Sequence, residues 1–186
     1  MLNIPGPEKV NELFEKVFYE GLEKIQNKLE TEKISTEVRL VQENITGYEG
    51  YLVVKADGCQ VKKLMIALEE TKIGRLYDID VLEKEYTKIS RKDLGFPERK
   101  CLLCDNPACQ CGRSRKHSIE ELRKKIYGII WEEQLQRDQS GSEGGLVYNT
   151  KTRLILPGGY RCAYRYELSD ISKEYRGDRR RSGGNV

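Results

Sequence analysis

Residues 101–117, CLLCDNPACQCGRSRKH, hold four cysteines and the chain's single histidine. Cys101, Cys104, Cys111 and His117 follow the pattern C-x2-C-x6-C-x5-H. Thiolates and imidazole at that spacing form a Cys3His set suited to structural Zn2+, with Cys109 as an alternative ligand. A metal there would substitute for hydrophobic core on a small lobe. A disulfide staple, a catalytic Cys or His, and ordinary packing are the other readings. His117 also precedes a helix start, where it could face a phosphate. The N-terminal MLNIPGPEKV lacks the basic-then-apolar layout of a signal peptide. No run approaches the roughly 18 apolar residues of a membrane span. The cytoplasm is therefore the expected compartment, where disulfides are rare.

The 186 residues, 38% apolar and 34% charged, suit one ordinary domain with a tail. The net charge of +3 is unevenly spread. Residues 88–117 carry eight Lys/Arg against three Asp/Glu, and 151–186 carry nine against four. Both basic segments point to an anionic partner.

Val10, Leu13, Phe14, Val17, Leu22, Ile25 and Leu29 recur at helical spacing, and Pro7 suits a first helical position. Residues 36–57, TEVRLVQENITGYEGYLVVKAD, read as two strands joined by a loop containing Gly47 and Gly50. Gln60 to Thr71 reads as a second helix. GRLYDIDVL (74–82) reads as a central strand that EYTKIS (85–90) pairs with. The sequence Ser118-Ile-Glu-Glu121 is a capping box opening a helix to about Arg137. This order predicts an α+β domain over residues 1–137, with helices packed on a mixed sheet and a Cys/His-rich knuckle. QSGSEGG (139–145) is a linker by composition, and 138–186 read as linker and disordered tail.

Asp78 and Asp80 stand two apart on the expected strand and so project to one face. A carboxylate pair on one face suits Mg2+ when the substrate brings phosphates. Asp78 also interrupts the apolar run of Leu76, Ile79, Val81 and Leu82, where an acid is costly unless paired or metal-bound. Arg75, Arg91, Arg99, Arg113 and Arg115 flank the pair as candidates for a phosphate clamp.

NIPGP, TGYEGYLVV, GRLYDIDV, SRKDLGFPERKCLLC and CGRSRKHS fall in an order and spacing that resemble the citrate lyase holo-acyl-carrier-protein synthases. These are the apo-citrate lyase phosphoribosyl-dephospho-CoA transferases, and the resemblance spans residues 2 to about 135. It implies a nucleotidyltransferase-like domain. The implied reaction moves a 5-phosphoribosyl-3′-dephospho-CoA group from its triphosphate donor to a serine on the acyl-carrier (gamma) subunit of citrate lyase, with loss of pyrophosphate. By position, Asp78 and Asp80 would be catalytic and hold Mg2+. Gly74 would let backbone approach the triphosphate, and Arg75, Arg91 and Arg99 would neutralise it. Cys109 stands where the family usually has a small apolar residue, which favours the ligand set without it.

Family members usually carry a few dozen residues ahead of NIPGP, so the chain starts inside a family motif. Read one nucleotide later, with free choice among synonymous codons, residues 149–177 can yield a string resembling the TPKPGL…GAH.DM signature of triphosphoribosyl-dephospho-CoA synthase. The stretch after about 140 is therefore expected to be an out-of-frame reading of a fused synthase. Two further readings stand beside the transferase: an inactive fragment of it, and a zinc-knuckle module gripping RNA or an acidic partner. The aromatic content of 8% argues against nucleic acid.

Overall fold

The structure, a computed structural model, describes residues 1–139. Helix α1 spans Glu12–Thr31 and strands β1 and β2 span Thr36–Asn44 and Gly47–Val54. Helices α2, α3 and α4 span Gly58–Glu69, Ala108–Ser114 and Ile119–Gln139. Short 3-10 turns lie at Ile73–Leu76, Lys84–Tyr86 and Lys92–Leu94. The domain is thus α+β, as expected.

Asn11 sets the start of α1, because its side-chain oxygen accepts the Phe14 amide at 2.8 Å. The helix therefore begins after the predicted start at Pro7. Phe14, Val17, Phe18 and Leu22 form its buried stripe. They meet Tyr48 of β2, Leu76 and Tyr77, and Ile126, Ile129 and Ile130 of α4 in the main core. Gly21 lets α1 sit against Tyr77, since a Cβ there would fall 2.6 Å from the tyrosine ring. A second cluster joins Leu29 and Ile34 to Val61 and Met65 of α2. Each such side chain removed from water contributes about 1.5–3 kcal/mol before chain entropy is counted.

The mixed sheet predicted from sequence is not what forms. The described residues contain one two-stranded antiparallel sheet, β1–β2, in which Leu40 faces Tyr51. Its strands turn over Ile45 and Thr46, so Gly47 and Gly50 both lie within β2 rather than in the loop. GRLYDIDVL is not a central strand. Its first residues belong to the 3-10 turn, and the rest is irregular backbone with isolated bridges, Leu2 to Tyr77 and Leu82 to Lys88. The second bridge keeps the predicted pairing with EYTKIS in reduced form, closed by Glu83 donating to the Thr87 carbonyl and Ile89 to that of Val81.

The capping box forms as read. Glu121 donates its amide to Ser118 Oγ at 3.1 Å, and its carboxylate accepts the Ser118 amide at 2.8 Å. Helix α4 then continues to Gln139, past the predicted boundary at 137. The rest of the linker and tail, with the out-of-frame reading, lies outside the described residues. Among the described residues no helix is long and apolar enough to cross a membrane.

Candidate active site

Two charged residues anchor the site from inside the protein. Lys62 and Glu69 are 4% and 3% exposed, on the buried side of α2 with Ile66. Their i, i+4, i+7 spacing puts all three on one stripe. Burial pushes the Lys62 amine below its ordinary value, and Glu69 opposes that shift. Lys62 Nζ donates to the Ile79 carbonyl at 2.8 Å, and the Ile79 amide donates to Glu69 Oε1 at 3.0 Å. Residue 79 is thereby held by both of its backbone polar groups. Asp78 and Asp80 flank it and are exposed, while Ile79 is half-buried. That alternation leaves both carboxylates turned outward. Asp80 pairs with Lys88 at 2.7 Å, and Asp78 lies 3.8 Å from Arg99.

Beside the acids opens a cleft of about 210 Å³ whose lining includes Arg75, Arg91, Arg99, Lys100, Glu69 and Glu98. Four distant pieces of chain build it: the end of α2, the first 3-10 turn, the approach to the third, and the entrance to the knuckle. Glu69 organises the arginines. Its Oε2 accepts Arg91 at 2.8 Å, and its Oε1 is 3.7 Å from Arg99. Arg91 Nε is buried with no hydrogen-bond partner among the described residues. Arg75 differs from the other two arginines. Its guanidinium donates only to carbonyls, Lys100 O at 2.6 Å and Cys101 O at 3.2 Å, and no described carboxylate pairs with it. Burial, then the charges of Arg99 and Arg91, lower its pKa from the ordinary arginine value. Crowded guanidiniums of this kind favour an anion in their midst.

The knuckle begins where the cleft ends. One ligand atom each from Cys101, Cys104, Cys111 and His117 gathers within 4.8 Å. Cys104 Sγ is 3.5 Å from Cys111 Sγ and 3.3 Å from His117 Nε2. Tetrahedral zinc with thiolate bonds near 2.3 Å would set thiolate–thiolate edges at about 3.8 Å, close to the Cys104–Cys111 spacing. The thiols are free rather than disulfide-bonded. The Asn106 amide, then His117, lowers Cys104 to about 6, whereas burial, then Cys104, raises Cys111 to about 11. Cys109 stands outside the group, exposed and 3.5 Å from Glu98. The Cys3His set is thus assembled in a form that can hold a metal.

A family model described as apo-citrate lyase phosphoribosyl-dephospho-CoA transferase matches residues 1–133. The chain belongs to that family. A probable apo-citrate lyase phosphoribosyl-dephospho-CoA transferase of Streptococcus pyogenes serotype M18 is 41% identical over 133 residues, 69% of this chain and 68% of the relative. The enzyme so named from Citrobacter koseri is 34% identical over 127 residues, covering 68% and 69%. A probable one from Vibrio cholerae serotype O1 is 38% identical over 128 residues, covering 67% and 71%.

Three of the five arginines singled out from sequence line the cleft and two do not. Arg113 and Arg115 are exposed at the end of α3, outside its lining. Gly74 is buried, its amide accepted by Thr71 Oγ1 at 3.1 Å. A Cβ there would stand 1.8 Å from the Leu68 carbonyl oxygen, so packing against the end of α2 already demands glycine. Lys62, Glu69, Lys88 and Lys100 were missed. The signal for Lys62 and Glu69 was present as charges on the apolar stripe of a predicted helix.

Proposed function

We propose that the chain transfers a phosphoribosyl-dephospho-CoA group from its triphosphate donor to a serine hydroxyl on the acyl-carrier subunit of citrate lyase, in the cytoplasm. The serine oxygen forms a bond to the α-phosphorus, the bond from that phosphorus to the β-phosphate oxygen breaks, and pyrophosphate leaves. The serine proton passes to solvent. The observation carrying this reading is an exposed carboxylate, Asp78, 3.8 Å from Arg99 of an arginine-lined cleft, with the exposed Asp80 two residues on.

Hard oxygen donors with phosphates nearby suit Mg2+, and Asp78 and Asp80 are the residues to hold it. When bound, that ion would supply charge stabilisation to the attacking and leaving oxygens. The protein's own contribution is positional. Lys62 and Glu69 fix the backbone of Ile79 between the acids, so both carboxylates project from an anchored segment. Arg75, Arg91, Arg99 and Lys100 supply positive charge for the triphosphate and the departing pyrophosphate. Zn2+ at Cys101, Cys104, Cys111 and His117 is assigned a structural role, because three thiolates and an imidazole close a four-coordinate site.

The test mixes the chain with apo-carrier subunit, donor and Mg2+, then weighs the carrier by mass spectrometry. A mass gain matching the phosphoribosyl-dephospho-CoA group is expected, falling about 100-fold or more in rate for Asp80→Asn. Unchanged turnover in that variant would remove the acid pair from the reaction. Carrier binding without any mass gain would mark the chain as an inactive member of its family.

A further inference from the structure

The knuckle has almost no buried hydrocarbon within itself, its one apolar anchor being Leu102, which packs half-buried against the main core. Between residues 99 and 118 the buried side chains are Cys101 and Cys111, both members of the ligand set. Backbone hydrogen bonds close the loop, Cys101 to the Asn106 carbonyl at 2.8 Å and Ala108 to the Arg99 carbonyl at 2.7 Å. Loops without a core hold a fixed shape when a metal ties their side chains together. The same loop presents the Lys100 and Cys101 carbonyls that grip Arg75, and Arg99 returns a hydrogen bond to the Arg75 carbonyl at 2.9 Å. Arg75 is also the arginine of the cleft that no described carboxylate neutralises, which makes it the one whose charge an incoming anion meets in full.

We propose that metal at Cys101, Cys104, Cys111 and His117 controls the anion cleft through Arg75, by fixing the two carbonyls that aim its guanidinium. This rests on the reading of the cleft as a polyphosphate site. Zn2+ bound there would displace the thiol protons and tie the four side chains into one unit. With Cys101 held, its carbonyl and that of Lys100 keep their places. Without the metal, the loop relaxes and Arg75 loses its seat, while the helical core, built from other residues, stays folded. The structural ion thereby makes polyphosphate binding dependent on the metal state of the protein, with no contact between ion and ligand.

The experiment is a four-way comparison on the full chain: wild type and Arg75→Gln, each zinc-loaded and each stripped by a chelator under reductant. Zinc content is measured throughout, and the probe is Mg2+-pyrophosphate in isothermal titration. Zinc-loaded wild type binds. Stripping it, or replacing Arg75 with zinc retained, weakens binding by about tenfold, as loss of one charge-assisted contact should. Stripping Arg75→Gln adds little, because both changes remove the same guanidinium.

Equal binding by wild type with and without zinc overturns the inference, as do losses that multiply across the cycle. A stripped wild type that loses its helical circular dichroism overturns it as well, for the metal would then support the whole fold. A chain that takes up no zinc removes its premise. A zinc-loaded wild type that ignores pyrophosphate defeats instead the reading of the cleft beneath it.

Discussion

Phe14 and Glu69 are both almost wholly buried, at 0% and 3% exposure, yet they belong to regions held together in different ways. Around Phe14, helices α1 and α4 and the β1–β2 hairpin share a continuous patch of hydrocarbon. Around Glu69, the chain from 78 to 118 has only Ile89, Cys101 and Cys111 buried among its described side chains. Its shape comes from ion pairs, from side chains bonded to backbone, and from the thiol cluster. Hydrocarbon contacts are non-directional, so the first region tolerates small shifts. Charge-assisted hydrogen bonds are directional and costly to leave unmade, so the second holds its few groups in fixed places. The cleft stands on the second kind.

The sharpest way to break that division is to damage each region alone. Phe14→Ala leaves a cavity in the main core and should cost about 3–5 kcal/mol of stability, read as a lowered denaturant midpoint. Below its unfolding transition the variant should still bind pyrophosphate like the parent, because no cleft residue rests on Phe14. Loss of binding by protein that remains folded would mean that the two regions are not separable.

Glu69→Gln is the converse experiment, with a smaller effect on stability. The change removes the charge that Arg91 and Arg99 share and weakens the hold on the Ile79 amide. It should lower stability by about 2 kcal/mol, as loss of a buried charged acceptor does. Pyrophosphate affinity should fall by more than it does in Phe14→Ala, although the substitution takes a negative charge out of a cationic cleft. Tighter binding in Glu69→Gln would show that net charge, rather than placement of the arginines, governs the site.

The two regions also differed in what their sequence disclosed. The α1 stripe, the Ser118–Glu121 cap and the Cys3His set were legible because each is a local spacing with a local consequence. GRLYDIDVL was harder. Its β-branched and aromatic content signals a strand, yet residues 77–82 form only isolated bridges at Tyr77 and Leu82. A ladder also needs partners, which composition cannot assign. Here those backbone groups go elsewhere: to Met1 and Asn3, to Glu69, to Lys62 and to the turn at 87–89. The arginines show the same limit. Proximity in sequence gathered five, but the path of the chain brings Arg75, Arg91 and Arg99 into one cleft and leaves Arg113 and Arg115 in solvent.

Ser118 joins the two regions, since α4 lends Ile126, Ile129 and Ile130 to the core while its first turn follows directly on His117. Ser118→Ala removes the hydroxyl that accepts the Glu121 amide, and should cost about 1 kcal/mol near neutral pH. The backbone and side chain of Ser118 hold the Glu121 carboxyl below its ordinary 4.5. A carboxyl lowered on folding stabilises the fold above its unfolded value and loses that contribution as pH falls through the lowered folded value. The gap between Ser118→Ala and wild type should therefore be widest above pH 4.5 and narrow in acid, measured as paired denaturation midpoints across pH. A gap that stays constant into strong acid would mean that the hydroxyl caps the helix without help from the charge. If the cap also bears on the knuckle, the variant should release zinc to a competing chelator faster than wild type. If the thiol cluster stands alone, the two release rates will match.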